Sequence, residues 1–170
     1  MTKRNSQILL FFVVVASVYL AACERVKDPC LLPRVAPLGI GTYKAIETDT
    51  GIAIKDSVLP SPIMAALDSP AAFVYIPEQA TSKFRLSLSP LTDSTKYFIL
   101  PDTLNTTASG FDTMTVYYVR KLHFLSTACG YTHFFSIYDV KTTNHVIDSV
   151  KLVQTEVTTA ADVEHVKIYY

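Results

Sequence analysis

Residues 112–127, "DTMTVYYVRKLHFLST", alternate with a period of two. Met114, Val116, Tyr118, Arg120, Leu122 and Phe124 share one side, and Thr113, Thr115, Tyr117, Val119, Lys121, His123 and Leu125 share the other. Successive side chains of a strand point to opposite faces, so the pattern specifies a β-strand rather than a helix. The stretch is longer than the roughly 3–10 residues of an ordinary strand, so a bulge or a switch of sheet is expected near Arg120. Between Met114 and Phe124, Arg120 is the one charged residue on the apolar side. It marks either a structural partner for its guanidinium or the point where that face becomes exposed.

The rest of the chain reads the same way. Residues 35–46 form a first, irregular strand, interrupted by Pro37, Gly39 and Gly41. Residues 49–51 are a turn, and 52–59 alternate until Pro60. Residues 61–67 read as one helical turn or a bridging loop. Short strands are expected at 72–76, 83–88, 95–100, 131–138, 146–155 and 163–169, with a loop at 105–110. In 83–88, Phe84, Leu86 and Leu88 face inward while Lys83, Arg85 and Ser87 face outward. Eight or nine strands with little helical periodicity specify an all-β fold, an antiparallel β-sandwich of immunoglobulin-like architecture. No repeat or low-complexity tract breaks the chain, and 170 residues suit a single domain.

The N-terminus belongs to a different class of sequence. Lys3 and Arg4 precede the apolar run 8–19, which falls short of the roughly 20 residues that span a bilayer. The run ends at Leu20-Ala21-Ala22-Cys23. Charge, apolar run and small residues specify a secretory signal peptide. Together with the cysteine they resemble a bacterial lipobox, which implies that residues 1–22 are removed and that Cys23 carries fatty-acyl chains such as palmitate. Each buried CH₂ adds about 0.8 kcal/mol to anchoring. Residues 23–33, polar and broken by Pro29 and Pro33, are then a lipidated tether, and 34–170 the β-sandwich domain.

Export places the mature chain in an oxidising compartment. Cys30 and Cys129 remain after Cys23 is lipidated, and their simplest state is a disulfide. It closes a loop worth up to about 4.7 kcal/mol in the chain-entropy account. Two free buried thiols are the alternative. A metal site at His123, Cys129 and His133 matches no zinc spacing, and no metal or cofactor is expected.

Charge and motif exclude other classes. Lys+Arg and Asp+Glu both number 15, so no positive field for nucleic acid exists. There is no G-x-S-x-G elbow, no glycine-rich phosphate loop and no calcium loop. His123, His133, His145 and His165 are scattered and read as surface or edge residues. Tyr117, Tyr118, Tyr131, Tyr138, Tyr169 and Tyr170 read as inter-sheet packing, with a sugar-stacking or protein-docking patch as the alternative.

The stretch 120–131, "RKLHFLSTACGY", resembles a signature of small Bacteroidota envelope lipoproteins that are classed only as a domain of unknown function. The lipobox Cys23, the nearby Cys30, the strand 112–116, the "L-x-L-x-P" of 86–90 before Asp93-Ser94-Thr95, and the terminal 165–169 match the same pattern. The first strand departs from it, being broken by Pro37 and two glycines. The resemblance implies an envelope location and a disulfide, and no reaction. At phylum level it also implies O-glycosylation at Asp-(Ser/Thr) triplets. The candidate acceptors are Ser57, Ser94, Thr103, Thr113 and Ser149. The competing reading is structural: Asp ends a turn and Ser or Thr opens the next strand.

These features lead to one functional expectation. The chain is a non-enzymatic lipoprotein, anchored to the outer membrane through its lipid, that binds or braces another envelope protein or glycan. A cell-surface carbohydrate- or peptide-binding module is the alternative. After Cys23 the acidic Glu24 and Asp28 are interleaved with Arg25 and Lys27. Surface-export signals are more acidic, which favours the periplasmic face.

Overall fold

Burial alternates along the strands as hydropathy does. A computed structural model describes residues 29–49, 51–67, 74–75, 80–103 and 110–170. The expected signal peptide and Cys23 lie outside the described residues. Residues 31–170 form one unit of the chain and residues 1–30 another.

Among the described residues there are eleven strands and no helix. They are β1 (Pro37–Thr48), β2 (Gly51–Asp56), β3 (Ile63–Ala66), β4 (Val74–Tyr75), β5 (Lys83–Ser87), β6 (Ser94–Leu100), β7 (Asp112–Ser126), β8 (Gly130–Thr142), β9 (Ser149–Leu152), β10 (Glu156–Val157) and β11 (Val166–Tyr169). One sheet runs β2-β1-β11-β9, with β5 also paired to β1, and the other runs β10-β8-β7-β6-β3-β4. Their inner faces share one core. Leu38, Ile40, Phe84, Leu86, Val166 and Ile168 come from the first sheet, and Met64, Tyr97, Ile99, Met114, Val116, Tyr118 and Ile137 from the second. This is the sandwich expected from the alternation.

The structure corrects several details. Residues 61–67 hold the strand β3 instead of a helical turn, because Met64 and Ala66 alternate into the core against β6. The pairing of β1 with β11 is parallel, so the sheets are not purely antiparallel. The expected bulge lies between Tyr117 and Tyr118, where β8 carries Tyr138 as an extra residue, and a second register shift lies between Phe124 and Ser126.

The first strand is not interrupted at all. Pro37 opens β1, where a missing N–H is tolerated. Gly39 and Gly41 lie against the segment leading into β11. A Cβ on Gly39 would collide with the Val163 carbonyl, and one on Gly41 with the Glu164 carboxylate. The glycines thus permit a close backbone approach without weakening the ladder, which runs from Pro37 to Thr48.

Two buried tyrosines secure the β5–β6 crossing. Tyr97 donates to Ser87 O at 2.8 Å, and Tyr118 donates to Ser89 O at 2.9 Å. Thr95 Oγ1 lies 2.6 Å from the Tyr118 hydroxyl and accepts the Ser89 N–H. Burial foremost raises the pKa of Tyr97, so its phenol stays protonated and can donate.

Candidate functional site

The β7–β8 hairpin outruns the opposite sheet. The inner faces of β7 and β8 are buried up to Tyr118 and Ile137. Beyond them the same face continues through the pairs Arg120–Phe135, Leu122–His133 and Phe124–Tyr131. Phe135 is still buried, edge-on to Tyr118 with ring centroids 5.1 Å apart. Past it the face opens to solvent: Leu122 is 65% exposed, Phe124 50% and Tyr131 61%. The Phe124 and Tyr131 rings lie 5.2 Å apart. The outer face of the same stretch is mixed, with Lys121 and His123 exposed beside the half-buried Phe134. Val119 is exposed, and His123 stacks on Phe134 at 4.2 Å.

The chain enters the domain beside this hairpin. Thr132 Oγ1 donates to Arg34 O, which holds residues 34–36 against β8. Arg34, Val35 and Ala36, the link Ser87, Leu88 and Pro90, and Tyr131, Thr132, His133 and Phe135 of β8 enclose an open groove of about 310 Å³. Arg120 stands at the same end. It bonds Asp93 at 2.9 Å and the Pro90 carbonyl at 2.9 Å. Its partners and its exposure agree with both roles expected of it.

The turn that closes the hairpin accounts for the Cys-Gly-Tyr stretch. Cys129 N–H donates to Ser126 Oγ at 3.0 Å. Gly130 has φ +72°, a left-handed conformation that costs a residue with a Cβ about 1 kcal/mol or more. Cys30 and Cys129 are both disulfide-bonded, as their expected pairing requires. Among the described residues no three His, Cys, Asp or Glu side chains gather to hold a metal ion.

Comparison with protein families matches residues 64–170, which cover β3 to β11 and the whole hairpin. The chain belongs to a family of unknown function (DUF6452). No curated protein and no solved structure matches it.

Two polar centres lie elsewhere, and both organise loops. Asp112 is 1% exposed and accepts from Thr143 Oγ1 at 2.6 Å, His145 N at 2.9 Å, Val146 N at 2.7 Å and Ile147 N at 2.7 Å, with His145 Nδ1 at 3.0 Å. Burial alone would raise its pKa. The hydrogen bonds from Thr143 and from the Ile147, His145 and Val146 N–H groups outweigh that and hold it below the usual carboxylate value. The nearby Tyr170 hydroxyl is buried without a hydrogen-bond partner; burial foremost, then the Asp112 charge, raises its pKa.

His165 is the second centre. It is buried, so its expected place at the surface or an edge is wrong. Gly39 N–H donates to its Nδ1 at 2.9 Å, so Nε2 carries the proton and donates to Glu156 O at 3.2 Å. Burial holds its pKa below the ordinary imidazole value. The sequence set it only at the head of the terminal 165–169 stretch and gave it no role, because the carbonyl it serves lies on the unforeseen β10.

The six tyrosines do not form one patch. Tyr118 is core. Tyr117 and Tyr138 pair on the outer face at 6.2 Å, Tyr169 pairs with Tyr43 at 5.8 Å, Tyr170 is half-buried, and Tyr131 alone reaches the groove. The triplet residues stand at strand borders. Ser94 opens β6 and Ser149 opens β9, Ser57 follows β2, and Thr103 sits in a turn beside Ser61. Thr113 is inside β7, next to the carboxylate that caps the 143–147 loop. Ser149 is exposed and the other four are half-buried.

Proposed function

We propose that this protein is an envelope lipoprotein of a Bacteroidota cell, anchored to the outer membrane by acylated Cys23 and facing the periplasm. It works without catalysis, by binding or bracing another envelope component. The observation that carries this reading is the apolar hairpin end. Leu122, Phe124 and Tyr131, exposed on one face of a protruding ribbon with Val119 on the other, mark a contact surface. Near the groove, Thr132 is engaged with the Arg34 carbonyl, and Arg120 with Asp93 and the Pro90 carbonyl. The disulfide state of Cys30 and Cys129 fits an oxidising compartment. The dispersal of the tyrosines leaves the carbohydrate-binding alternative with little support. Mass analysis of protein from its native cell tests the reading. The expected N-terminal peptide begins at Cys23 and carries acyl mass. An unmodified Cys23, or a retained leader, refutes it.

A further inference from the structure

We infer that the component braced by the hairpin end is the lipid bilayer itself: Leu122, Phe124 and Tyr131 dip into its interface beside the anchor. This rests on the acylation of Cys23 and names the partner of the same surface.

Three observations carry it. The first is reach. Cys30 follows Cys23 by seven positions, a span of at most about 25 Å fully extended. Cys30 and Cys129 are both in disulfide linkage, and Cys129 lies in the turn of the hairpin. The next fixed point, Arg34, is held by Thr132 of the same hairpin. The opposite end of β1 lies about 12 strand residues further off, roughly 40 Å. The hairpin end is therefore the part of the domain that the tether keeps near the membrane.

The second is shape. Exposed apolar side chains stand on both faces of the ribbon, Leu122, Phe124 and Tyr131 on one and Val119 on the other, where Lys121 and His123 accompany it. Immersion in a fluid phase covers both at once. The third is composition. Leu, Phe and Tyr are flanked by Arg34, Arg120, Lys121 and His123, with Arg120 paired to Asp93 and Lys121 to Glu156, a mixture of aromatic, aliphatic and basic side chains of the kind that partitions into a headgroup region. Leu31 (88% exposed) and Val35 (59%) extend the apolar surface along the entering chain.

The chain contains no Trp, so one introduced indole reports its own surroundings. Phe124→Trp and, separately, Ile52→Trp are made in the full chain. Ile52 is exposed in the β1–β2 hairpin at the other end of the domain. Each acylated protein is reconstituted into phosphatidylethanolamine–phosphatidylglycerol vesicles, with and without bromine on the acyl chains. An indole about 5–10 Å below the headgroups should blue-shift and lose about half its emission to the bromines, while position 52 stays unquenched. Leu122→Trp, on the same face, should repeat the result. Unquenched, red-shifted emission at 124 and 122 in protein of confirmed acyl mass overturns the inference and leaves the lipoprotein reading standing. A blue shift without quenching means burial against protein, such as a second copy, and overturns it too. Absence of acyl mass defeats both.

Discussion

Replacing Asp112 by Ala removes the acceptor for three backbone N–H groups, those of His145, Val146 and Ile147. An unsatisfied buried N–H costs about 1–3 kcal/mol. Ile147 is buried and Val146 half-buried, while His145 is exposed enough for water to serve its amide. Two orphaned donors give a loss of about 2–6 kcal/mol, a large part of the roughly 5–15 kcal/mol that holds a domain folded. Asp112→Asn should cost less, about 1–3 kcal/mol. Its amide oxygen can still face Val146 and Ile147, and its NH₂ can turn to the Thr143 hydroxyl, leaving the His145 N–H as the misfit. Urea unfolding at pH 7 measures the order wild type, Asn, Ala. Hydrogen exchange at Ile147 should quicken in step. The acid limb adds a second reading. The folded pKa of Asp112 is depressed, so its contribution is present above the unfolded value of 3.8 and is lost as pH falls through the folded one. Asp112→Asn should flatten that limb. An Ala variant that loses under about 1 kcal/mol, or an Asn variant as damaged as Ala, refutes the capping role.

His165 gives stability the same direction with pH in a higher window. Its folded pKa lies below 6.5, so the unfolded chain takes up the proton first, and stability should decline as pH drops below about 6.5, by at most about 1.4 kcal/mol per unit. His165→Asn keeps an acceptor for the Gly39 N–H, so urea midpoints between pH 8 and 5 should lose that slope; an unchanged slope rejects the neutral buried imidazole. At the β1 glycines, Gly39→Ala meets backbone and should cost about 1–3 kcal/mol or more, whereas Gly41→Ala meets the movable end of Glu164 and should cost less. Moving Glu164 should also lower the Tyr43 pKa, which burial and the 2.7 Å bond to Glu164 push up to about 12; an ultraviolet titration of the phenol reads this.

The β5, β6 and β7 strands were legible because a period of two on a half-buried sheet needs only the local pattern. Phe84, Leu86 and Leu88 went inward as read. What escaped depended on distant partners. Gly39 and Gly41 looked like breaks because nothing nearby says that residues 163–164 pass over them. Residues 61–67 looked ambiguous because Pro60 and Pro62 mask a strand only four residues long. β10 has two residues and exists through its pairing with Phe135 and Ser136. Of the contact surface, the stretch 120–131 was visible as a signature and Arg120 as the place where the face changes. The groove was not visible, since Val35 and Ala36 read as the start of the first strand, whereas β1 begins at Pro37 and Thr132 ties the chain at Arg34 to β8.

Exceptions to the burial rule separate stability from function in this fold. Among the described residues the buried polar ones are Thr42, Thr95, Asp112, Thr132 and His165. Each bonds the backbone at a loop or strand end: Ser57 and Ser82 for Thr42, Ser89 for Thr95, residues 145–147 for Asp112, Arg34 for Thr132, and Gly39 and Glu156 for His165. They are ties, and cutting one is a matter of folding. Leu122, Phe124 and Tyr131 are the reverse, apolar groups held out in solvent by a ladder that does not need them. Changes at such surface positions usually move stability by no more than about 0.5 kcal/mol. Three large apolar side chains that add so little to folding are available for what they touch, and on the proposed acylation of Cys23 the short chain from it to this end makes the membrane the nearest thing to touch.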